Sequence, residues 1–148
     1  MKDARQYHGS NPTEHDACAI HVKRVDVHNG IMEIMVQLNC PERYASPEIC
    51  NKITKVRPSI ASHNCYNDGA EKFGQCILGT SLVHLYEHLI IDFMLYQSLG
   101  DTFSGISRWL DEKQGTGLIR INFYHDTQTL LAISKAAKVF NSVMCIQK

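Results

Sequence analysis

The chain has no excess of either charge: fifteen basic and fifteen acidic residues cancel over 148 positions. No global field therefore draws it to nucleic acid or to an anionic membrane, and a bulk nucleic-acid binder is not expected. It also lacks an unbroken apolar span. The longest apolar run, residues 82–96, is interrupted by His84, Glu87, His88 and Asp92, which argues against a membrane helix. Met1-Lys2-Asp3-Ala4-Arg5 has none of the apolar character of a secretory leader, so the cytoplasm is the expected compartment. Six cysteines (Cys18, Cys40, Cys50, Cys65, Cys76, Cys145) include no C-x-x-C pair, and reduced thiols are expected rather than a disulfide frame. There is no phosphate-cradling G-x-x-x-x-G-K loop, no internal sequence repeat and no low-complexity linker.

What is present is an ordinary globular composition, 44% hydrophobic and 20% charged, enough for one domain with a real core. Residues 1–16 are polar and contain Gly9, Asn11 and Pro12, so a loose arm is expected ahead of a single domain over 17–148. Two runs, 19–27 and 32–38, flank Asn29-Gly30, a strong hairpin signal. Met32, Ile34, Val36 and Leu38 alternate onto one face of the second strand. Ser46-Pro47-Glu48 starts a helix whose apolar positions Ile49, Ile53 and Val56 recur until Arg57-Pro58 breaks it. A short turn to Ser62 follows, then a loop over 63–79.

Thr80 or Ser81 caps a long helix that is expected to stop near Leu99-Gly100. Strands over 102–109 and 118–124 come next. A last helix starts at Asp126 or Thr127 with Leu130, Leu131, Ile133, Ala137 and Phe140 inward. The order ββα-αββα predicts an α+β two-layer sandwich, a four-stranded, mostly antiparallel sheet covered by helices. An apolar helix and edge strands are compatible with a homodimer.

The chemistry is concentrated in the long helix, at His84-Leu85-Tyr86-Glu87-His88. This is H-x-x-E-H, the inverzincin order, the reverse of H-E-x-x-H. At 3.6 residues per turn the two histidines stack on one face with Glu87 beside them. Two imidazoles so placed can grip one divalent metal, and the carboxylate can take a proton from water. Leu82, Val83, Leu85, Leu89, Ile90, Ile91, Phe93, Met94 and Leu95 surround the triplet, so the helix reads as buried. Buried ionisable groups are costly unless paired or bound to metal. The expected cofactor is Zn2+ or another divalent ion, since two histidines do not choose among them.

A catalytic zinc takes three protein ligands and leaves one position open. The helix supplies His84 and His88; candidates for the third are Cys65 or His63 in the preceding loop, and His125 or Asp126 beyond the last strand. A cysteine would bind as thiolate. Glu87 then serves as general base and returns the proton to a leaving amine, which makes amide hydrolysis the expected reaction.

From about residue 56 the chain resembles the N-terminal domain of cyanophycin synthetase. The residues carrying the likeness are Pro58, His63-Asn64-Cys65, Gly79-Thr80, His84-x-x-Glu87-His88 and Gly117 before the strand from Leu118. The resemblance covers roughly residues 56–140. It implies a domain that holds a polymer of aspartate backbone and arginine side chains, or that cleaves it by metal-dependent hydrolysis. Without a phosphate loop it does not imply ATP-driven synthesis. Family members tend to carry an acid near the end of the strand corresponding to 118–124, where this chain has Phe123-Tyr124-His125-Asp126. S-ribosylhomocysteine lyase is similar in another respect: it is small, has an H-x-x-E-H helix and uses two histidines and one cysteine.

Three readings follow. The first is a metal-dependent hydrolase of amide bonds in a peptide or isopeptide polymer, for which Asp68, Glu71, Asp92, Asp101, Asp111 and Glu112 offer acidic contacts. The second is a non-catalytic polymer-binding or scaffold domain. The third is a metal-dependent lyase or isomerase acting on a small molecule.

Overall fold

The computed structural model describes residues 5–8, 18–65, 72–97 and 102–144. Its centre is the hairpin of β2 (Ile20–His28) and β3 (Ile31–Leu38), turned by Asn29 at φ 51° and Gly30 at φ 73°. Two consecutive left-handed residues give the turn a twist matching that of the strands it joins, which is why Asn-Gly sits there. A second hairpin, β4 (Gly105–Asp111) and β5 (Thr116–Asn122), adds to the first through antiparallel pairing of β3 with β5. These four strands form the antiparallel sheet that the sequence pattern predicts.

A fifth strand extends it. β1 (Arg5–His8) pairs antiparallel with β2, giving the order β1-β2-β3-β5-β4. These four residues belong to the segment expected to be a loose arm. Polar composition hid them, because an edge strand draws its order from ladder hydrogen bonds as well as from apolar burial.

One face of the sheet is the core. Met32, Ile34, Val36 and Leu38 alternate inward at 0 to 2% exposure, joined by Val25, Val27, Ile119 and Ile121. Helices α1 (Pro47–Val56), α3 (Leu82–Tyr96) and α4 (Asp126–Met144) contribute to the same core, so the domain is an α+β sandwich with helices on one side. Ser46 caps α1 through its side chain, which accepts from the Ile49 amide at 3.2 Å, and Pro47 takes the first turn. Of the recurring apolar positions of α1, Ile49 and Ile53 are buried, whereas Val56, where the helix ends, is 53% exposed. Leu131 of α4, also expected inward, is 50% exposed; Thr129, Ala132, Ile133, Ala136, Phe140 and Val143 form the inner stripe.

Between α1 and α3 the chain makes a 3-10 turn, Pro58–Ser62, and a single helical turn, α2 (Phe73–Cys76). The Phe73 amide bonds the His63 carbonyl at 2.8 Å, and Asn64 bridges to Lys72. Residues 63–65 are thereby held against 72–76. α3 is opened by Ser81, whose hydroxyl accepts from the His84 amide at 3.1 Å. It ends at Tyr96; the stop expected near Leu99-Gly100 lies outside the described residues. α3 packs tightly onto β5, where a Cβ at Gly117 would stand 2.5 Å from Val83 Cγ2. No helix among the described residues is long and apolar enough to cross a membrane.

Candidate metal centre

α3 is buried nearly all round, yet four of its buried residues are polar: His84, Glu87, His88 and Asp92. Their offsets of three, four and eight residues from His84 place them on one stripe. That stripe turns away from the sheet core and towards the segment 57–65. A cavity of about 540 Å3 opens there, lined among others by His63, Cys65, His84, Glu87, His88 and residues 102–106.

The two histidines aim the same nitrogen at the same point. His84 Nε2 and His88 Nε2 are 3.1 Å apart, and Cys65 Sγ lies 3.9 Å from His84 Nε2. Cys65, His84 and His88 are all buried, and their ligand atoms fall within 4.8 Å of one another. This group could hold a metal ion. Tetrahedral zinc with bonds of about 2.0–2.1 Å to nitrogen and 2.3 Å to sulfur needs donor separations of about 3.3 Å and 3.6 Å. The observed spacings are close to both, and the donor set is of a type that zinc favours.

The proton positions follow from a chain of contacts behind His88. Asp92 can only accept as a carboxylate. Its Oδ2 receives Arg57 Nε–H at 2.7 Å and Nη2–H at 2.6 Å, and its Oδ1 receives the Ser59 hydroxyl at 2.8 Å. His63 Nε2, also 2.8 Å from Oδ1, must then carry a proton and donate it. A neutral His63 leaves Nδ1 as acceptor, so the His88 Nδ1–H, 3.1 Å away, donates to it. His88 Nε2 is left with its lone pair towards the cavity. On the other side His84 Nδ1 is 2.7 Å from Thr80 Oγ1, and a hydroxyl can serve either tautomer. An acceptor for the far ring N–H is how metal-ligating histidines are generally oriented.

Electrostatics agree with this assignment. Burial pushes His88 down to about 3, with the adjacent His84 and His63 rings adding to the effect, so the imidazole is neutral near neutral pH. Burial likewise lowers His84. For Asp92, burial alone would raise the carboxyl, but hydrogen bonds from His63, Ser59 and Arg57 together hold it below its ordinary value. Phe73 stacks on the His88 ring at 3.8 Å between centroids and 12° between planes, and meets His84 edge-on at 5.2 Å. α2 thus fixes both imidazoles from one side.

Glu87 stands at the same opening. Its Oε2 lies 3.6 Å from His84 Nε2 and, though buried, has no hydrogen-bond partner among the described residues. Burial raises this carboxyl to about 7, against a smaller lowering by the Ser107 hydrogen bond. Its position depends on Gly105, where a Cβ would collide with Glu87 Oε1 and stand 2.8 Å from Ile121 Cγ2.

Of the residues singled out in the sequence, Cys65, His84, Glu87 and His88 therefore come together. His63 is brought to the site but behind it, with one ring nitrogen on His88 and the other on Asp92. It supports the His88 ring and lies outside the group that could hold a metal ion. His125 and Asp126 are elsewhere, beside a separate shallow pocket formed by residues 123–128. The acidic residues considered as substrate contacts are differently employed. Asp92 is inside the Arg57 network, Glu112 accepts the Tyr44 hydroxyl, and Asp111 accepts from the Gln114 amide. Asp68, Glu71 and Asp101 lie outside the described residues.

Sequence reasoning missed the site roles of Arg57, Ser59 and Phe73, the contact of Thr80 with His84, and the structural part played by Asp92. One signal was present: His84, His88 and Asp92 stand at i, i+4 and i+8 on one helical line. No protein-family model matches the chain, and no curated protein matches it, so the functional argument rests on this geometry.

Proposed function

We propose that the protein is a metal-dependent hydrolase of amide bonds, acting on a peptide or isopeptide polymer such as the cyanophycin-like chain that the sequence resemblance implies. One observation carries the reading. Three convergent ligand atoms from Cys65, His84 and His88 share a cavity with Glu87 Oε2, a buried carboxyl oxygen without a hydrogen-bond partner among the described residues. A structural metal site alone would have no use for such an oxygen, and leaving it unpaired is costly.

A divalent ion bound there would polarise a substrate carbonyl and make water more acidic. The remaining work belongs to the chain. Cys65, His84 and His88 hold the ion, and Thr80 and His63 keep the two rings in position. Glu87, with its affinity for protons raised by burial, accepts one from water in the cavity and delivers it to the departing amine. Ile91, Leu95, Phe103 and Ile106 give the same opening apolar walls.

The test compares the parent with one variant, both loaded with zinc. Glu87→Gln should keep the metal and lose turnover of an aspartate–arginine polymer or a model peptide by at least about 100-fold. Polymer binding that survives unchanged in both proteins, with no products from either, would instead support a scaffold role. The thiolate in the ligand set favours a second reading, a lyase or isomerase for a small molecule. Turnover of small carbonyl compounds without amide cleavage would select it.

A further inference from the structure

The half-buried thiol of Cys76 is close to the candidate metal ligand Cys65: the two sulfur atoms are 3.3 Å apart. None of the five described cysteines is in a disulfide. The approach of these two is built by the backbone. Cys65 follows Asn64, which bridges to Lys72, and Cys76 ends the single turn of α2 whose first residue, Phe73, is bonded to the His63 carbonyl. The segment between the cysteines is therefore already closed at its base, and joining the sulfurs adds little loop-closure cost. Cys65 lines the cavity with the two histidines, whereas Cys76 is not among its lining residues.

We propose that Cys65 and Cys76 are a disulfide-forming pair, and that closing the bond withdraws Cys65 from the metal centre and switches the site off. The inference rests on the reading of Cys65, His84 and His88 as the ligand group. A peroxide supplies the oxidant. The Cys76 sulfur attacks one peroxide oxygen, the O–O bond breaks, and hydroxide leaves with the thiol proton as water, giving a sulfenic acid. The Cys65 thiolate then attacks the Cys76 sulfur, the S–O bond breaks, and hydroxide departs and is protonated to a second water. Two electrons pass from the sulfurs to the peroxide, and Cys65 no longer carries the negative charge that a metal ligand needs. Only two imidazoles remain, and reduction by a dithiol restores the third donor.

The geometry assigns different parts to the two cysteines. Cys65 is needed both for metal and for the bond, Cys76 for the bond alone. The experiment loads reduced protein with Co2+, follows the thiolate-to-cobalt charge-transfer absorption, then adds hydrogen peroxide and maps disulfides by mass spectrometry of peptides. The expected result is a Cys65–Cys76 bond formed together with loss of the absorption and more than about 100-fold weaker cobalt affinity, beyond what losing an outer-shell partner costs. Dithiothreitol should reverse both. Cys76→Ser, and Cys76→Ala as a second variant, should bind cobalt like the parent when reduced and form no such bond.

Three results would overturn the proposal. They are cobalt binding with no Cys65–Cys76 bond after peroxide, a bond that forms while the metal stays, or loss of cobalt from reduced Cys76→Ser and Cys76→Ala. The last would make Cys76 a ligand. Failure of reduced protein to take up cobalt at all is read before any oxidant is added. It contradicts the metal centre itself and with it the switch, whereas the three results above leave that centre standing.

Discussion

His63 Nδ1 lies 3.1 Å from His88 Nδ1, so the His88 imidazole is oriented by another imidazole and only then by the Asp92 carboxylate. The line from Arg57 through Asp92 and His63 to His88 permits one arrangement of protons when His63 is neutral. It leaves the His88 lone pair facing the cavity.

Breaking that line should be felt at the metal. Asp92→Asn replaces an obligate acceptor with a group that can also donate, so His63 is released to adopt its other tautomer. Zinc affinity, measured by competition with a chromogenic chelator, should fall by about 10- to 100-fold. The same change leaves Arg57 without its anionic partner in a mostly buried position, and should cost on the order of 3 kcal/mol in denaturant unfolding of the metal-free protein.

Glu87 gives a pH dependence whose sign is fixed. Its folded value of about 7 lies above the ordinary 4.5, so its contribution to stability is fully present below pH 4.5. That contribution is lost as the pH rises towards and through 7. Metal-free Glu87→Gln lacks the effect. Between pH 5 and pH 8 the parent should therefore lose about 2 kcal/mol relative to the variant, and urea titrations of both proteins at the two pH values measure it. A variant that gains nothing over the parent at pH 8 would show that Glu87 is not held in a raised state.

Gly105 admits a sharper test of the proton-handling group than its own size suggests. Gly105→Ala places a methyl group against the Glu87 carboxylate and the Ile121 side chain, and should cost about 1–3 kcal/mol in stability. Because Cys65, His84 and His88 do not depend on that contact, zinc binding should persist while turnover drops. Unchanged turnover in Gly105→Ala would detach Glu87 from the reaction.

The readable parts of this molecule are those encoded over short distances. Asn29-Gly30 announced the hairpin, Ser46-Pro47 the start of α1, and the spacing of His84, Glu87 and His88 their common helical stripe. Each depends on neighbours within about one turn or one hairpin. The third member of the candidate metal group was not readable in the same way. His63 and Cys65 stand two residues apart in one loop, and both are chemically competent. What separates them is that α2 packs Phe73 onto the rings and the 57–63 segment brings Arg57 and Ser59 to Asp92, so that His63 is drawn to the carboxylate. Those contacts join residues 29 to 35 positions apart, which no local pattern reports. Asp92 looked like one more surface acid for the same reason, and the strand Arg5–His8 was obscured by its polar surroundings.

The most direct measurement is zinc K-edge X-ray absorption on protein purified under reducing conditions, combined with metal analysis. The account predicts about one zinc per chain, with one sulfur at about 2.3 Å and two imidazole nitrogens at about 2.0–2.1 Å. It also predicts loss of the sulfur shell in Cys65→Ser and of bound metal in His84→Ala. A protein that takes up no stoichiometric metal, or one whose zinc has no sulfur neighbour, would contradict it.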